Sequence, residues 1–296
     1  MRIREFCMFY NEHTVLDIKI AEARKWIDEL HLCEANRTFQ NKPRVPVLPA
    51  GDDFVKTHVY DGATHFVPAF SWGPSRQWPF FRKKPTARKN ETLQRNMVHD
   101  VFADAADDDI VIVSDIDEII DPRFADEVID AARKHGVVSV ELHHTFFYLN
   151  LYSTNWHELW PNAPENYAYR IFVMTGKYFQ QLRQGEGSDH LRRRGEWGKL
   201  TGNLPLLKGI RGFHHSWLGD EDAAYDKITS YCHNVSDHRA DLTDGNGQIS
   251  KEKLGAFIRS GQSIFPGNKV EIRSLDAVPP LQSVADKLDR YQHLIL

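Results

Sequence analysis

The apolar positions near the start of the chain change from a strand-like run to a helical period. Ile3 to Tyr10 is a short apolar run that predicts a buried strand. Thr14 to Asp17 is typical of a capping box, which predicts that a helix begins there. Apolar residues then recur at three- and four-residue steps, at Leu16, Ile20, Ala23, Ile27 and Leu30. A second predicted strand, His31 to Ala35, completes a strand–helix–strand order, which favours an α/β fold with a mostly parallel central sheet flanked by helices.

The same two patterns, apolar runs for strands and apolar residues at three- and four-residue steps for helices, predict further elements along the chain. The predicted helices are Glu91 to Ala106, Pro122 to His135 with Gly136 as its cap, and Ala223 to Val235, and the predicted strands are Ile110 to Val113 and Val137 to Leu142. Residues 40 to 90 are rich in proline, glycine and aromatic residues, which indicates strands joined by long loops. Residues 184 to 212 are dense in arginine and glycine, which indicates loops.

The stretch IVIVSDIDEII, which ends at Ile120, places three carboxylates at the end of a predicted buried strand. They belong to Asp115, Asp117 and Glu118. Like charges this close repel, and burying an ionised carboxylate without a partner is costly. Ligands of open α/β sheets bind beyond the carboxyl ends of the strands, and carboxylates there suit Mg2+ or Mn2+. The pattern therefore favours a divalent metal, with a capped turn and solvated acids as the alternative.

Composition and charge narrow the classes of function. A net charge of -4 provides no global basic field, so general nucleic-acid binding is not predicted. The three cysteines, Cys7, Cys33 and Cys232, form no disulfide framework and no CxxC metal pattern, which favours a reducing compartment. The chain shows no signal sequence and no apolar run of membrane-spanning length, so we expect a cytoplasmic protein of bacterial or viral type.

Five blocks of the sequence, in order, resemble family 17 glycosyltransferases, the group that contains the bisecting N-acetylglucosaminyltransferase of N-glycan processing. The blocks are FCMFYNEHTVLDIKIAEA, HLCEANRTFQNKPR, NETLQRNMV with DDDIVIVSDIDEIIDP, GIRGFHHSWLGDEDAAYDKITSYCH, and VPPL followed by DRYQHLI. Together they extend over nearly the whole chain. Two features depart from the family pattern: Ile120 stands where proline is usual, and residues 184 to 205 have no counterpart.

This resemblance implies a GT-A fold, formed by a single domain over residues 1–296. About residues 1–120 would bind the nucleotide sugar, and about residues 121–296 would bind the acceptor and close the site. The reaction implied is the transfer of a sugar, N-acetylglucosamine by family analogy, from a UDP-sugar to a glycan hydroxyl with inversion at the anomeric carbon. The implied partners are the nucleotide sugar and the glycan.

The resemblance also implies a metal centre. Asp115 and Asp117 would hold Mn2+ or Mg2+ against the diphosphate of the UDP-sugar, where the metal stabilises the leaving group. His214 would be the third protein ligand or a phosphate contact. His215 is the alternative, because the doubled histidine leaves the register open by one residue. Trp217 would stack on a sugar or pack in the interior.

Nucleotide and acceptor contacts follow in the same way from the matched blocks. The candidate nucleotide-binding residues are Phe9, Asn11, Glu12, Glu34, Arg95, Asp115 and Lys227. Inversion by direct displacement requires a carboxylate that takes the proton of the acceptor hydroxyl. The candidates for this base are Glu118, Glu158, Asp189 and Glu196, and the sequence does not choose among them.

Two other classes of function remain open. One is a non-catalytic carbohydrate-binding protein on the same fold. The other is a metal-dependent phosphohydrolase with a DxDx(T/V) signature, which Ile119 breaks and which such enzymes carry on the first strand. A third pattern, DLTDGNGQISKE from Asp241, resembles a calcium-binding loop but lacks carboxylates at both ends, so a polar turn is predicted.

Overall fold

One mixed β-sheet organises the structure. A computed structural model of the protein describes residues 1–68, 70–74, 81–85, 87–155, 168–184, 205–230 and 240–296. The strands in these ranges are β1 (Ile3–Met8), β2 (Glu29–Ala35), β3 (Val55–Tyr60), β4 (Phe70–Pro74), β5 (Phe81–Pro85), β6 (Ile110–Asp115), β7 (Glu118–Ile120), β8 (Val137–Phe146), β9 (Leu151–Ser153), β10 (Ala168–Thr175), β11 (Leu206–Leu207), β12 (Gly212–Ser216) and β13 (Val270–Ile272). Strands β4 and β5 form a separate two-stranded sheet, and the others join the main sheet.

Helices flank this sheet. In the described ranges they are α1 (His13–Ala23), α2 (Gly62–His65), α3 (Ala87–Arg95), α4 (Val98–Val101), α5 (Ala125–His135), α6 (Gly176–Gln184), α7 (Glu221–Ser230), α8 (Lys251–Arg259), α9 (Gln282–Ala285) and α10 (Leu288–Tyr291). Short 3-10 turns occur at Pro122–Phe124, Ala240–Leu242 and Gln292–Leu294. Within the part of the chain that the structure describes, no helix is both long enough and apolar enough to cross a membrane.

The strand order of the main sheet reverses next to β1. The path runs β13-β9-β8-β10-β6-β1-β2-β3, and β3, β2, β1 and β6 are parallel to one another. Strand β10 lies antiparallel between β6 and β8. The sequence of connections therefore turns from one side of β1 to the other, and the crevice beyond the carboxyl ends of β1 and β6 is the topological switch point where open α/β sheets bind ligands.

The predicted α/β class is confirmed, but the sheet is mixed rather than mostly parallel. Its parallel half follows the predicted pattern, because Ile110 to Val113 of β6 are buried and a strand buried on both faces is apolar throughout. The other half pairs antiparallel through β10, β9 and β13, and β12 pairs with both β7 and β8.

Helix α1 departs from its predicted start and buried face. It begins at His13 after Glu12, and no side chain caps it, so the predicted capping box is wrong. It ends at Ala23, and the chain enters β2 at Glu29, before the predicted strand. Two charged side chains, Lys19 and Glu22, lie on its buried face with the apolar residues. The apolar period alone could not reveal a face that buries charge.

Other elements agree with the predictions in part. Helix α5 ends at His135 and is capped by Gly136, whose φ is 80°, as predicted, and β8 continues beyond its predicted end to Phe146. The predicted helix from Glu91 is divided into α3 and α4. Helix α8 was not predicted. The polar turn predicted after Asp241 is confirmed, because Asp244 accepts the backbone N–H groups of Asn246 and Gln248.

Candidate functional site

A pocket lies at the switch point, beyond the carboxyl ends of β1, β2 and β6. We name it the switch-point pocket. Its polar lining residues come from separate parts of the chain and are Tyr10, Glu12, Arg37, Thr38, Arg44, Gln94, Asp115, Asp117 and Lys227. Apolar side chains, among them Met8, Phe9 and Phe39, complete its wall. We define the acidic turn as residues 115–118, from the last residue of β6 to the first residue of β7. Both of its aspartates line this pocket, together with cationic side chains.

Asp115 is paired with an arginine of α3. Arg95 Nη1 donates to Asp115 Oδ1 at 2.7 Å, and Arg95 Nη2 lies 3.1 Å from Glu91 Oε1. The Arg95 side chain is buried, and the Asp115 side chain is only 16% exposed. The predicted nucleotide-binding residue Arg95 therefore reaches the pocket region by holding the first carboxylate of the acidic turn.

Asp117 meets a lysine and a histidine. Lys227 Nζ, on α7, donates to Asp117 Oδ2 at 3.3 Å and lies 3.4 Å from Glu12 Oε1. His214 Nε2 lies 3.6 Å from Asp117 Oδ1. Burial by itself lowers the pKa of Lys227, but the carboxylates of Asp117 and Glu12 outweigh burial, and the pKa of Lys227 is raised. Lys227 thus stays protonated among these acids.

Glu118 closes the acidic turn from inside. Its side chain is buried, and Glu118 Oε2 accepts the backbone N–H of Asp115 at 2.8 Å. The backbone carbonyl of Asp117 accepts the N–H of His215 at 2.8 Å, which ties the turn to β12. These bonds fix the backbone that carries the two aspartates.

A buried lysine that sequence reasoning missed also holds the turn. Lys19 Nζ donates to Glu5 Oε1 at 2.5 Å, to Ser114 Oγ at 3.1 Å and to the carbonyl oxygen of Glu118. Lys19, Glu5 and Ser114 are almost fully buried. Burial opposes the charge of Lys19, but Cys7 and Glu5 act in the other direction, and its pKa is raised. The available signal was a lysine between apolar residues on the inner face of a predicted helix.

The predicted nucleotide residues after β1 have separate environments. Phe9 is buried, packs against the His13 ring and donates its backbone N–H to the Cys33 carbonyl at 2.9 Å. Asn11 is exposed. Glu12 Oε2 accepts the backbone N–H groups of Tyr10 at 2.9 Å and Asn11 at 3.2 Å, while its other oxygen faces Lys227. Of the three, Glu12 has the most direct contact with the charged end of the pocket.

Glu34 is occupied by protein partners at the end of β2. It is fully buried, pairs with Arg44 and accepts the backbone N–H of Val47 at 2.7 Å. Burial raises the pKa of Glu34, and Arg44 opposes that rise. Arg44 also donates to the Tyr10 carbonyl at 2.8 Å and lies 3.9 Å from the centre of the Tyr10 ring. Arg44 was missed, although it ends the second of the blocks quoted from the sequence, and it is Arg44 that lines the pocket.

Strand β12 presents its two histidines to different neighbours. His214 Nε2 lies 2.9 Å from Ser216 Oγ, and its ring stacks on His144 with centroids 4.5 Å apart. His215 Nδ1 lies 2.8 Å from Thr145 Oγ1, and burial lowers the pKa of His215 to about 3. Successive strand residues point to opposite faces, so the side chain of only one of them, His214, pairs with Asp117.

Two further features hold the end of β12. A Cβ at Gly212 would lie 2.0 Å from the carbonyl oxygen of Ile119, so only glycine permits the close pairing of β12 with β7. Trp217, which follows β12, has a left-handed φ of 62° and is 7% exposed. It packs between Phe147 and Phe265, and Lys227 Nζ lies 5.6 Å from its ring centre. Interior packing, rather than an open stacking surface, describes Trp217.

A metal fits this site only in combination with other ligands. Among the described residues, no three histidine, cysteine or acidic side chains are grouped as a metal site. Asp117 Oδ1 and His214 Nε2 lie 3.6 Å apart, and Asp115 lines the same pocket as Asp117. Mg2+ is commonly held by one or two carboxylates together with substrate phosphates, and imidazole also suits Mn2+. This donor set is compatible with such a shared site.

Three of the four candidates for the base lie outside the described residues. They are Glu158, Asp189 and Glu196. The fourth, Glu118, is the buried last residue of the acidic turn.

Comparisons with known proteins give no family for the chain. No family model matches it, and no curated protein matches it. Two solved structures show a distant similarity to the chain. Mannose-6-phosphate isomerase from Helicobacter pylori is 9% identical with a TM-score of 0.33, over 61% of this chain and 73% of that one. The apo form of mouse xyloside xylosyltransferase 1 is 10% identical with a TM-score of 0.26, over 64% of this chain and 71% of that one. Neither similarity is close enough to assign a function.

Proposed function

We propose that the protein is a metal-dependent inverting glycosyltransferase of the GT-A type. It moves a sugar, N-acetylglucosamine by family resemblance, from a UDP-sugar to a glycan hydroxyl. The observation that carries the proposal is the switch-point pocket, where Asp115 and Asp117 lie beside the partly exposed cation Lys227. The five sequence blocks that resemble family 17 glycosyltransferases support it independently, because they include the acidic turn, β12 and α7.

The cations of the pocket suit a diphosphate. Lys227 and Arg44 line the pocket, and Arg95 stands behind Asp115. An ammonium group and guanidinium groups donate charge-assisted hydrogen bonds to phosphate oxygens. Arg44, anchored by Glu34 and Tyr10, holds its guanidinium in place before a ligand arrives. The pocket therefore combines groups for an anion with carboxylates for a cation.

Asp117 and Asp115, with His214, would hold Mn2+ or Mg2+ in this proposal. The metal, when bound, supplies positive charge that stabilises the departing UDP. The protein residues do the rest: Lys227 binds phosphate oxygen, and Glu118 keeps the acidic turn closed. Because Glu118 is buried and holds the Asp115 N–H, the acceptor base in this proposal is one of the other three candidates, Glu158, Asp189 or Glu196.

The decisive experiment is a calorimetric titration of the protein with UDP, carried out in the presence and in the absence of Mn2+. We expect UDP to bind far more tightly with Mn2+ and expect Asp117→Ala to remove this gain. Asp130→Ala is the matched control, because Asp130 is exposed and lies on α5. Binding of UDP that does not respond to Mn2+, or no binding at all, would contradict the proposal.

Turnover separates the remaining classes. A panel of UDP-sugars, tested for UDP release and then for transfer to a glycan array, should identify the donor and the acceptor. Glycan binding without UDP binding would favour a non-catalytic carbohydrate-binding protein. Release of phosphate from simple phosphomonoesters would favour a phosphohydrolase.

A further inference from the structure

One buried ammonium group, that of Lys19, contacts the residues on both sides of residues 115–117, which carry the two aspartates. Lys19 Nζ donates to Ser114 Oγ at 3.1 Å, immediately before Asp115, and to the carbonyl oxygen of Glu118, immediately after Asp117. Its third donor goes to Glu5 Oε1 on β1, at 2.5 Å. An ammonium group has three donors, so these three acceptors account for all of them.

This network is sealed from the pocket. Lys19 is 1% exposed, and it is absent from the lining of the switch-point pocket. The Ser114 hydroxyl donates to Glu5 Oε1 at 2.6 Å, so the same carboxylate receives both the serine and the lysine. Lys19 therefore cannot touch a ligand in the pocket, and any effect on binding must pass through the backbone of the acidic turn.

We propose that Lys19 is a positioning residue, which fixes the backbone on both sides of Asp115 and Asp117 so that the two carboxylates face the switch-point pocket. The inference rests on the proposed function for its ligand, UDP with Mn2+. Sites of this kind need side chains held within a fraction of an ångström, and the supporting contacts set that precision. Glu118 closes the turn through its side-chain carboxylate, which accepts the Asp115 N–H, and Lys19 ties the closed turn to α1 and β1.

A purely structural ion pair is the competing explanation. Replacing both members of a buried ion pair by apolar residues of similar size is often neutral or stabilising, whereas removing one member is strongly destabilising. The double variant Lys19→Met/Glu5→Met therefore separates the two explanations. It removes both charges and keeps the volume, but it also removes the contact with the Glu118 carbonyl.

The experiment compares this double variant with the unmodified protein. We expect the urea midpoint of the double variant to stay near that of the unmodified protein, while its affinity for UDP with Mn2+ falls by about tenfold or more. Glu5→Gln keeps an acceptor for Lys19 and should change the affinity little. Lys134→Met is the matched control, because Lys134 is exposed on α5. A stable double variant that binds UDP with Mn2+ as tightly as the unmodified protein would overturn the proposal.

Hydrogen–deuterium exchange on the unmodified protein tests the same inference without any variant. The backbone N–H of Asp115 should exchange as slowly as those of β1, because the clamped turn opens only with the sheet. Rapid exchange of this N–H by local opening would overturn the proposal, whether or not the double variant folds. If the unmodified protein fails to bind UDP with Mn2+, the proposed function fails, whereas rapid exchange of the Asp115 N–H would overturn the clamped turn independently of that result.

Discussion

Two lysines contact the same acidic turn, and they differ in burial and in the groups that each can reach. The side chain of Lys19 is 2% exposed and is surrounded by Glu5, Ser114 and the Glu118 carbonyl. The side chain of Lys227 is 14% exposed, lines the switch-point pocket and bridges Asp117 and Glu12 at 3.3 and 3.4 Å. Lys19 holds the backbone of the acidic turn beneath the pocket. Lys227 neutralises the carboxylates of Asp117 and Glu12 at a place where a bound ligand can compete for them.

This difference explains why the protein tolerates acids at the end of a buried strand. The sequence suggested that a positive charge was missing, but the chain supplies cations of its own. Lys19 contacts the Ser114 hydroxyl and the Glu118 carbonyl. Arg95 pairs with Asp115, and Lys227 pairs with Asp117. A bound divalent metal would add to this balance and would compete with Lys227 for the same carboxylate.

The largest expected effect comes from breaking the sealed pair alone. Lys19→Met leaves Glu5 buried with Ser114 but without its ammonium partner, which should lower the free energy of unfolding by about 3–5 kcal/mol. Urea unfolding followed by circular dichroism measures this loss. Lys134→Met should change the free energy of unfolding by less than about 0.5 kcal/mol. Equal losses in the two variants would show that Lys19 is no more than a surface-like lysine.

At acid pH, the stability of the protein should depend on a histidine of β8, His143, and not on the two lysines. His143 packs against the rings of Tyr152 and Phe213, and burial, aided by Arg273, lowers its pKa to about 4. The folded pKa lies below the ordinary 6.5, so the stability from neutral His143 is complete above pH 6.5 and is lost as the pH falls toward 4. The loss should reach about 3 kcal/mol. His143→Phe should remove this part of the pH dependence, and urea unfolding at pH 7 and pH 4.5 tests it.

Alkaline pH should reveal the lysines instead. The pKa values of Lys19 and Lys227 are both raised above the ordinary 10.5. The stability that each contributes is therefore complete below pH 10.5 and is lost only as the pH rises through the folded pKa. No change from the two lysines is expected between pH 4 and pH 9, where a lysine-dependent slope would contradict the raised pKa values.

Lys227→Met should change ligand binding more than folding. Removing the ammonium group takes away a phosphate contact, so UDP with Mn2+ should bind about tenfold more weakly. The same substitution frees Asp117 and Glu12 from their cation, so Mn2+ alone should bind more tightly than to the unmodified protein. Calorimetry with each ligand measures both changes. If Mn2+ alone also binds more weakly, Lys227 does not compete with the metal.

The smallest expected effect belongs to an exposed pair on the same helix as Lys19. Asp17 pairs with Arg290, and their side chains are 46% and 57% exposed. Exposed ion pairs contribute little, so Asp17→Asn should lower the free energy of unfolding by less than about 0.5 kcal/mol. Urea unfolding at low and high salt checks this value. A loss as large as that for Lys19→Met would mean that burial does not govern the strength of these pairs.

The acidic turn could be predicted because its signal is local. Four aliphatic residues specify the buried strand, and the acids that follow must lie at its carboxyl end. The α/β class follows from similar local periods. The sequence left open whether His214 or His215 faces the acidic turn, because the answer depends on the register between β12 and its partners β7 and β8.

The rest depends on contacts between distant parts of the chain. Glu34 was predicted to face a nucleotide, but Arg44, in an irregular segment ten residues later, occupies it. Lys19 interrupts the apolar face of α1, and only its partners on β1, β6 and β7 explain why it is buried. No periodicity carries that information. The roles of Glu158, Asp189 and Glu196 as candidates for the base stay predictions.

The clamp formed by Lys19 also has a consequence for the order of folding. Its contacts with Ser114 and Glu118 span 95 and 99 residues of sequence, among the slowest kinds of contact to form. During synthesis, about a hundred residues must be added after Lys19 before the Glu118 carbonyl, the last of its three partners, has been made. The acidic turn should therefore acquire its shape late, after β1 and α1 have formed. A nascent chain that ends before β7 should expose the charged side chains of Lys19 and Glu5.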